Sequence, residues 1–294
     1  MVKLAVRMLG TGSPRPDLER SGPAQVLWID DLPILIDCGE GTTTQLLKAG
    51  IPPHTINHLW LTHLHSDHLF GYAQFLIGGQ GDGRRELTVV GPVGTKKYHE
   101  RILQLYEEDI NYRLSLGRSP KGLLDVNIIE IEEPGEISTD IPAKVTAAQM
   151  IHNVTTFGYR FEVGGKVVVI SGDTAPTPEI VKLAAGADLL IQDAAITTTS
   201  VYTKGENKEF SKVFEKLQNE HCTPTQCGEI AQEAGVKKLV LTHFLPGADG
   251  EEAHEEVKRV YAGEVVIGED LKLIEVIDEL VGKPNSKIKC EVHS

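Results

Sequence analysis

The chain has 294 residues, 40% hydrophobic and 24% charged, an ordinary globular composition long enough to bury a substantial core. Its formal net charge of −13, from 42 acidic and 29 basic residues, weighs against a broad nucleic-acid-binding surface while leaving room for a local basic patch. The four cysteines, Cys38, Cys222, Cys227 and Cys290, are too few and too irregular for a disulfide framework. No second pair completes a zinc-finger pattern around Cys222 and Cys227, so reduced thiols in a cytoplasmic protein are expected. The apolar run at the N-terminus is short and meets Gly10-Thr11-Gly12-Ser13-Pro14, a loop signal rather than a signal peptide. No stretch approaches the ~20 apolar residues of a membrane span.

Period-two patterns and short apolar runs predict strands at residues 3–9, 25–29 and 33–37, a short helix within 39–50, and a buried strand at 57–61. A helix over 68–77, a strand at 87–90 and one helix from 94 to about 111 follow. The middle of the chain is strand-rich, with runs at 126–131, 144–150, 157–163 and 166–171, the last two joined by a Gly164-Gly165 hairpin turn. Helices at 176–185, 223–234 and 251–262 then alternate with strands at 188–193 and 237–241. Thr223 followed by Pro224 and Gln226 has the form of a capped helix start. Residues 283–294 form a polar tail, and residues 1–282 are expected to make one domain of sheets sandwiched between helices.

The decisive segment is Thr62-His63-Leu64-His65-Ser66-Asp67-His68, directly after the apolar strand Leu59-Trp60-Leu61. Residues i and i+2 of an extended chain point the same way, so His63 and His65 can share one metal ion. Asp67 and His68 follow the turn and can serve a second. Imidazole and carboxylate donors suit zinc and its first-row neighbours. A lone histidine says little, but three histidines and an aspartate within six residues would be a costly crowd of polar groups without a shared partner.

This His-x-His-x-Asp-His pattern resembles the signature of the metallo-β-lactamase superfamily. Ile36-Asp37-Cys38-Gly39 resembles the family's early aspartate motif, whose carboxylate supports the metal ligands. His152 matches the third histidine of the first metal site. Ser171-Gly172-Asp173-Thr174 matches the motif whose aspartate bridges two metals, and Leu241-Thr242-His243-Phe244 the last histidine, a ligand of the second. The resemblance implies an α/β fold of four layers, two mixed β-sheets flanked by helices. It also implies two divalent metal ions, zinc first and manganese or iron accepted by the same donors, held by His63, His65, Asp67, His68, His152, Asp173 and His243.

Leu9–Pro14, Gly91-Pro92-Val93-Gly94-Thr95 and the motif at His243 resemble the ribonuclease Z and arylsulfatase-like branch of that superfamily. There, a late histidine protonates the leaving group and an acidic residue orients it. His221 and Asp193 fall near those places and, with Asp67, which would orient the attacking water, are the expected catalytic residues. Two departures stand out: Gln192-Asp193-Ala194 replaces the branch's usual His-Glu-Ala, and Cys222 replaces a small hydroxyl residue. The long basic arm by which ribonuclease Z grips tRNA is replaced by the short hairpin at Gly164-Gly165. A small anionic ester, a phosphodiester before a sulfate ester or a lactone, is therefore the expected substrate, ahead of a tRNA 3′ end. Nucleic acid and membranes are not expected partners, a homodimer follows from the resemblance alone, and a non-catalytic binding protein ranks last because no ligand position is lost.

Lys204, Lys208, Lys212 and Lys216 recur every four residues, interspersed with Glu206, Glu209 and Glu215, and read as a solvated helix face rather than a nucleic-acid site. Phe157 and Tyr159, close to His152 in sequence, read as core.

Overall fold

In the computed structural model, which describes residues 3–203 and 208–276, the strands form two mixed sheets of seven. The predicted tail at 283–294, together with Lys204, Glu206 and Cys290, lies outside the described residues.

The first sheet is built from β1 (Leu4–Gly10), β2 (Ala24–Ile29), β3 (Leu32–Ile36), β4 (His58–Trp60), β5 (Thr88–Pro92), β6 (Asn127–Ile131) and β14 (Leu273–Glu275), in the order β14-β1-β2-β3-β4-β5-β6. The second contains β7 (Gly135–Ile137), β8 (Lys144–Gln149), β9 (Phe157–Val163), β10 (Lys166–Ile170), β11 (Leu189–Asp193), β12 (Lys238–Thr242) and β13 (Glu264–Ile267), in the order β13-β12-β11-β10-β9-β8-β7. Strands β3 to β6 run parallel in the first sheet and β10 to β13 in the second, while the remaining pairs are antiparallel.

Both faces of each sheet are covered, which is why the central strands are nearly continuous apolar runs. Trp60 faces the space between the sheets, with Tyr159 and Phe161 edge-on to its ring at 5.2 and 5.4 Å. Its neighbours Leu59 and Leu61 point to the other side, against Leu46 of helix α1 (Thr42–Lys48) and Phe75 and Leu76 of α2 (Tyr72–Gly81). On the second sheet, Val168 and Ile170 face inward. Val169 packs outward against Ile180 of α5 (Pro178–Leu183), Ile230 of α7 (Pro224–Glu233) and Val257 of α8 (Gly250–Lys258). The result is the expected helix–sheet–sheet–helix order, and Phe157 and Tyr159 are core residues.

Several predicted elements change. The single helix expected from 94 to 111 is two, α3 (Thr95–Leu105) and α4 (Glu107–Ser115), broken at Tyr106. Glu107, Glu108 and Asp109 give the second helix an acidic first turn that favours a new N-terminus there. The helix predicted from residue 68 begins at Tyr72, and Ser66–His68 instead form a single 3-10 turn. Strands β7, β13 and β14 had no sequence prediction; each has only three or four residues, too short for a periodic signal. Among the described residues, no helix is long and apolar enough to cross a membrane.

Asp188 ties three strand starts together: its carboxylate accepts from the Val167 N–H at 2.8 Å and pairs with Lys237 at 2.8 Å and Lys166 at 3.4 Å. Burial alone would raise its pKa, but these donors outweigh burial and lower it. A carboxyl group with a lowered folded-state pKa adds stability that is complete above its unfolded value of ~3.9 and is lost as pH falls through the folded one. Asp188→Asn is therefore expected to cost about 1 kcal/mol at neutral pH, the lysines being partly solvent-screened. The deficit should shrink as pH falls below ~3.9 and through the lowered folded value, as urea melts at pH 7 and at successively more acid pH would report.

Candidate metal centre

The site lies at the carboxyl ends of the parallel strands, where both sheets open onto one cleft. The chain leaves β4 at Leu61, and the Asp37 carboxylate catches the next residue, accepting from the Thr62 N–H at 2.8 Å and the Thr62 hydroxyl at 2.9 Å. His63, His65, Asp67 and His68 follow within this braced turn. His152 comes after β8, Asp173 after β10, Asp193 ends β11, and His243 follows β12. Gly172 has φ of +63°, a left-handed conformation that turns the chain so that Asp173 points inward. Asp37 and His243 adopt left-handed φ of 57° and 64° although neither is glycine. Such strain costs about 1–3 kcal/mol each and persists only where surrounding contacts over-determine it.

All seven predicted metal-ligand residues converge. His63, His65, His152 and Asp173 form one group of donors, and Asp67, His68 and His243 another. Asp173 lies between them: its carboxylate oxygens are 3.7 Å from His63 Nε2, 3.9 Å from His152 Nε2, 3.4 Å from His68 Nε2 and 3.2 Å from His243 Nε2. Asp67 Oδ2 lies 3.2 Å from His243 Nε2 and 3.6 Å from His68 Nε2, and His65 Nδ1 is 3.2 Å from His152 Nε2. Donors bonded at about 2.0–2.2 Å to a tetrahedral ion lie about 3.3 Å apart, so these separations suit a shared cation. The buried Nε2 atoms of His63 and His68 have no hydrogen-bond partner, the pattern expected of nitrogens kept for metal. The donor set fits two ions.

Behind the donors, Nδ1 of three of these histidines is engaged. His68 Nδ1 donates to Asp37 Oδ2 at 2.8 Å, His152 Nδ1 donates to the Glu220 carbonyl at 3.1 Å, and His63 Nδ1 meets the Thr62 hydroxyl at 3.0 Å. Each contact favours the tautomer that leaves Nε2 free as a donor atom. Burial and the neighbouring His68 hold His63 well below its ordinary pKa. For Asp173 burial works against the charge, but the surrounding histidines prevail and keep its carboxyl well below the carboxylate range. Asp37→Ala removes the acceptor shared by Thr62 and His68. Metal affinity is expected to fall by about 10–100-fold, measured by calorimetric titration of zinc into chelator-stripped protein.

His221 and Asp193 also meet. His221 Nδ1 donates to Asp193 Oδ2 at 2.7 Å, and the imidazole stacks on His243 with ring centroids 5.4 Å apart. Burial disfavours the charged imidazole, yet the Asp193 carboxylate more than offsets it and lifts the pKa to about 9. Asp193 is itself held by the Thr174 N–H at 3.1 Å and the Ala195 N–H at 3.0 Å. Cys222, the departure noted in the sequence, is buried and its thiol donates to the Thr174 carbonyl at 3.2 Å. Its thiol thus satisfies that buried backbone carbonyl.

Sequence reading missed the supporting groups. Thr62 carries no signal of its own, and the Glu220 carbonyl is a backbone atom invisible to any residue pattern. A cleft of about 290 Å³ beside Asp67 is lined by Arg15, Arg20 and Phe70 among others, and Phe70 is 62% exposed. Lys208, Lys212 and Lys216 lie on α6 (Lys208–Leu217), none of whose residues is buried. Arg15 stacks over Tyr202 and over Phe210 of that helix at 5.1 and 5.2 Å.

A fold of two seven-stranded sheets with this donor cluster defines a class, and comparison with known proteins places the chain within it. Residues 33–244 match the family model described as the beta-lactamase superfamily domain. Ribonuclease Z of Mycobacterium sp. strain KMS is 31% identical over 288 residues, covering 96% of this chain and 99% of that protein. Ribonuclease Z of Limosilactobacillus reuteri is 28% identical, over 86% of this chain and 91% of its own length. Among solved structures, human tRNase Z, short form, superposes with a TM-score of 0.71 at 25% identity, over 93% of this chain and all (100%) of that one. The Bacillus subtilis metallo-β-lactamase fold protein YhfI reaches a TM-score of 0.73 at 20% identity, over 94% of this chain and 100% of its own, a likeness of fold alone. The chain belongs to the metallo-β-lactamase superfamily, in its ribonuclease Z branch.

Proposed function

We propose that the protein is a metal-dependent phosphodiesterase that cleaves RNA near the 3′ end of tRNA precursors. The observation that carries the hydrolase reading is the Asp173 carboxylate, set between two groups of imidazole donors. The choice of substrate rests on the relatives: proteins named ribonuclease Z align with the chain over nearly its full length. The expectation that nucleic acid is excluded is accordingly given up. It leaned on net charge and on the short hairpin at Gly164-Gly165, and net charge averages over the whole surface, whereas the cleft at Asp67 sets Arg15 and an exposed Phe70 beside Asp17 and Glu40. Guanidinium groups suit phosphates and an exposed aromatic ring suits a stacked base.

His63, His65, His152 and Asp173 would hold one ion, and Asp67, His68, His243 and Asp173 the other, with zinc first among the candidates. Such ions, when bound, lower the pKa of water towards ~7 and neutralise charge on the phosphoryl group. Asp67, at the cleft side of the cluster, orients the attacking water. His221 keeps its proton through neutral pH because Asp193 holds Nδ1–H, leaving Nε2 to give a proton to the departing ribose oxygen.

The test is incubation of zinc- or manganese-loaded protein with a tRNA precursor bearing a 3′ trailer, beside bis(4-nitrophenyl) phosphate. Cleavage at the trailer junction supports the reading. Turnover of the nitrophenyl ester with the precursor left intact would return the assignment to a small anionic ester.

A further inference from the structure

We infer that Asp270, far from the ligand motifs in sequence and absent from the donor cluster, is a positioning residue for His243 and thereby for the second metal ion; this rests on the two-metal reading above. The Asp270 carboxylate accepts four hydrogen bonds from three parts of the chain. Oδ1 takes the Thr11 N–H at 3.0 Å and the Thr11 hydroxyl at 2.9 Å, while Oδ2 takes the Ser21 N–H at 2.7 Å and Gln45 Nε2 at 2.8 Å. Thr11 in turn accepts, through its carbonyl, the N–H of Phe244 at 2.9 Å. Phe244 is the residue after His243.

The other side of Phe244 is held by the same network. Arg20 donates to the Thr11 hydroxyl at 2.6 Å and to the Gly268 carbonyl at 2.7 Å, and its guanidinium lies 4.6 Å over the Phe244 ring. This explains how a β-carbon-bearing ligand stays in a left-handed conformation. At φ of 64° His243 is strained, and a flexible neighbour would let it relax towards an ordinary backbone angle. Such relaxation would swing Nε2 away from Asp67 and Asp173, both now 3.2 Å distant. A carboxylate that accepts four donors loses little freedom further and is costly to remove, which makes it an effective anchor.

The inference predicts a selective effect. Asp270 reaches no donor of the group formed by His63, His65 and His152, so only one of two ions should weaken. Asp270→Asn, nearly the same shape but with one acceptor oxygen replaced by an amide, is titrated with zinc after chelation and followed by calorimetry. Thr11→Val, which keeps the backbone bond to Phe244 but removes the hydroxyl, is titrated in parallel in case the first variant folds poorly. Wild type is expected to show two binding events. Asp270→Asn should weaken one by about 10–100-fold, the scale of removing an outer partner of a metal ligand, and leave the other within about twofold. Thr11→Val should shift the same event in the same direction by less. A general loss of structure would weaken both events alike, and that result, or two unchanged events, overturns the proposal. A wild-type chain that takes up no second ion overturns the two-metal reading, and this inference with it.

Discussion

Asp173→Asn is expected to yield a folded chain that retains at most one divalent ion per molecule and loses phosphodiesterase activity by about 10²–10³-fold or more, the scale of removing one group that stabilises transition-state charge. Asp173 has oxygens within 4 Å of His63, His68, His152 and His243, so no other side chain touches both donor groups so fully. An amide keeps the volume but replaces one oxygen with a donor that competes with the cation it should attract. The loss of charge falls in a buried place, where a carboxylate is worth most to a nearby cation. Metal analysis by plasma mass spectrometry and turnover of bis(4-nitrophenyl) phosphate would read the two parts of the result separately.

His221→Ala is expected to slow cleavage of RNA by about 10²–10⁴-fold, the usual contribution of a general acid, while slowing release of nitrophenolate far less. Nitrophenolate leaves readily without a proton; a ribose oxygen does not. Equal slowing of both substrates would remove the acid role. The pH profile gives an independent check. With Asp193 in place the imidazole titrates at about 9, so the acid form is present below that value and lost as pH rises through it. Asp193→Asn removes the largest of the causes that raise it, and the alkaline limb should move to lower pH. A limb that does not move would assign it to another group.

The fold and the first four donors, His63, His65, Asp67 and His68, could be read in the chain because each rests on local signals. A period-two apolar run marks a strand, and Trp60 between Leu59 and Leu61 shows both faces of one sheet in three residues. His63 and His65 flank one residue, Asp67 and His68 follow, and their placement after β4 is visible without coordinates. His152, Asp173 and His243 needed the family resemblance, because a single histidine after a strand has no signature. What could not be read is what works across sequence distance. Thr62 became significant only when Asp37 was seen to accept from it. Glu220 contributes a carbonyl, and Asp270 meets Thr11 across 259 positions. The helix break at Tyr106 and the three short strands fell below the length at which periodicity speaks. The expectation against nucleic acid is weakened for a different reason: a whole-chain charge of −13 carries no information about the few residues that line one cleft.

The most direct test of the account is to count metal ions in the purified, zinc-loaded protein and to measure hydrolysis of bis(4-nitrophenyl) phosphate by wild type and Asp67→Ala side by side. Two ions per chain, turnover that stops on chelation and returns with metal, and loss of that turnover in the variant are the predicted results. A folded protein without stoichiometric metal, or a variant as active as wild type, would contradict it.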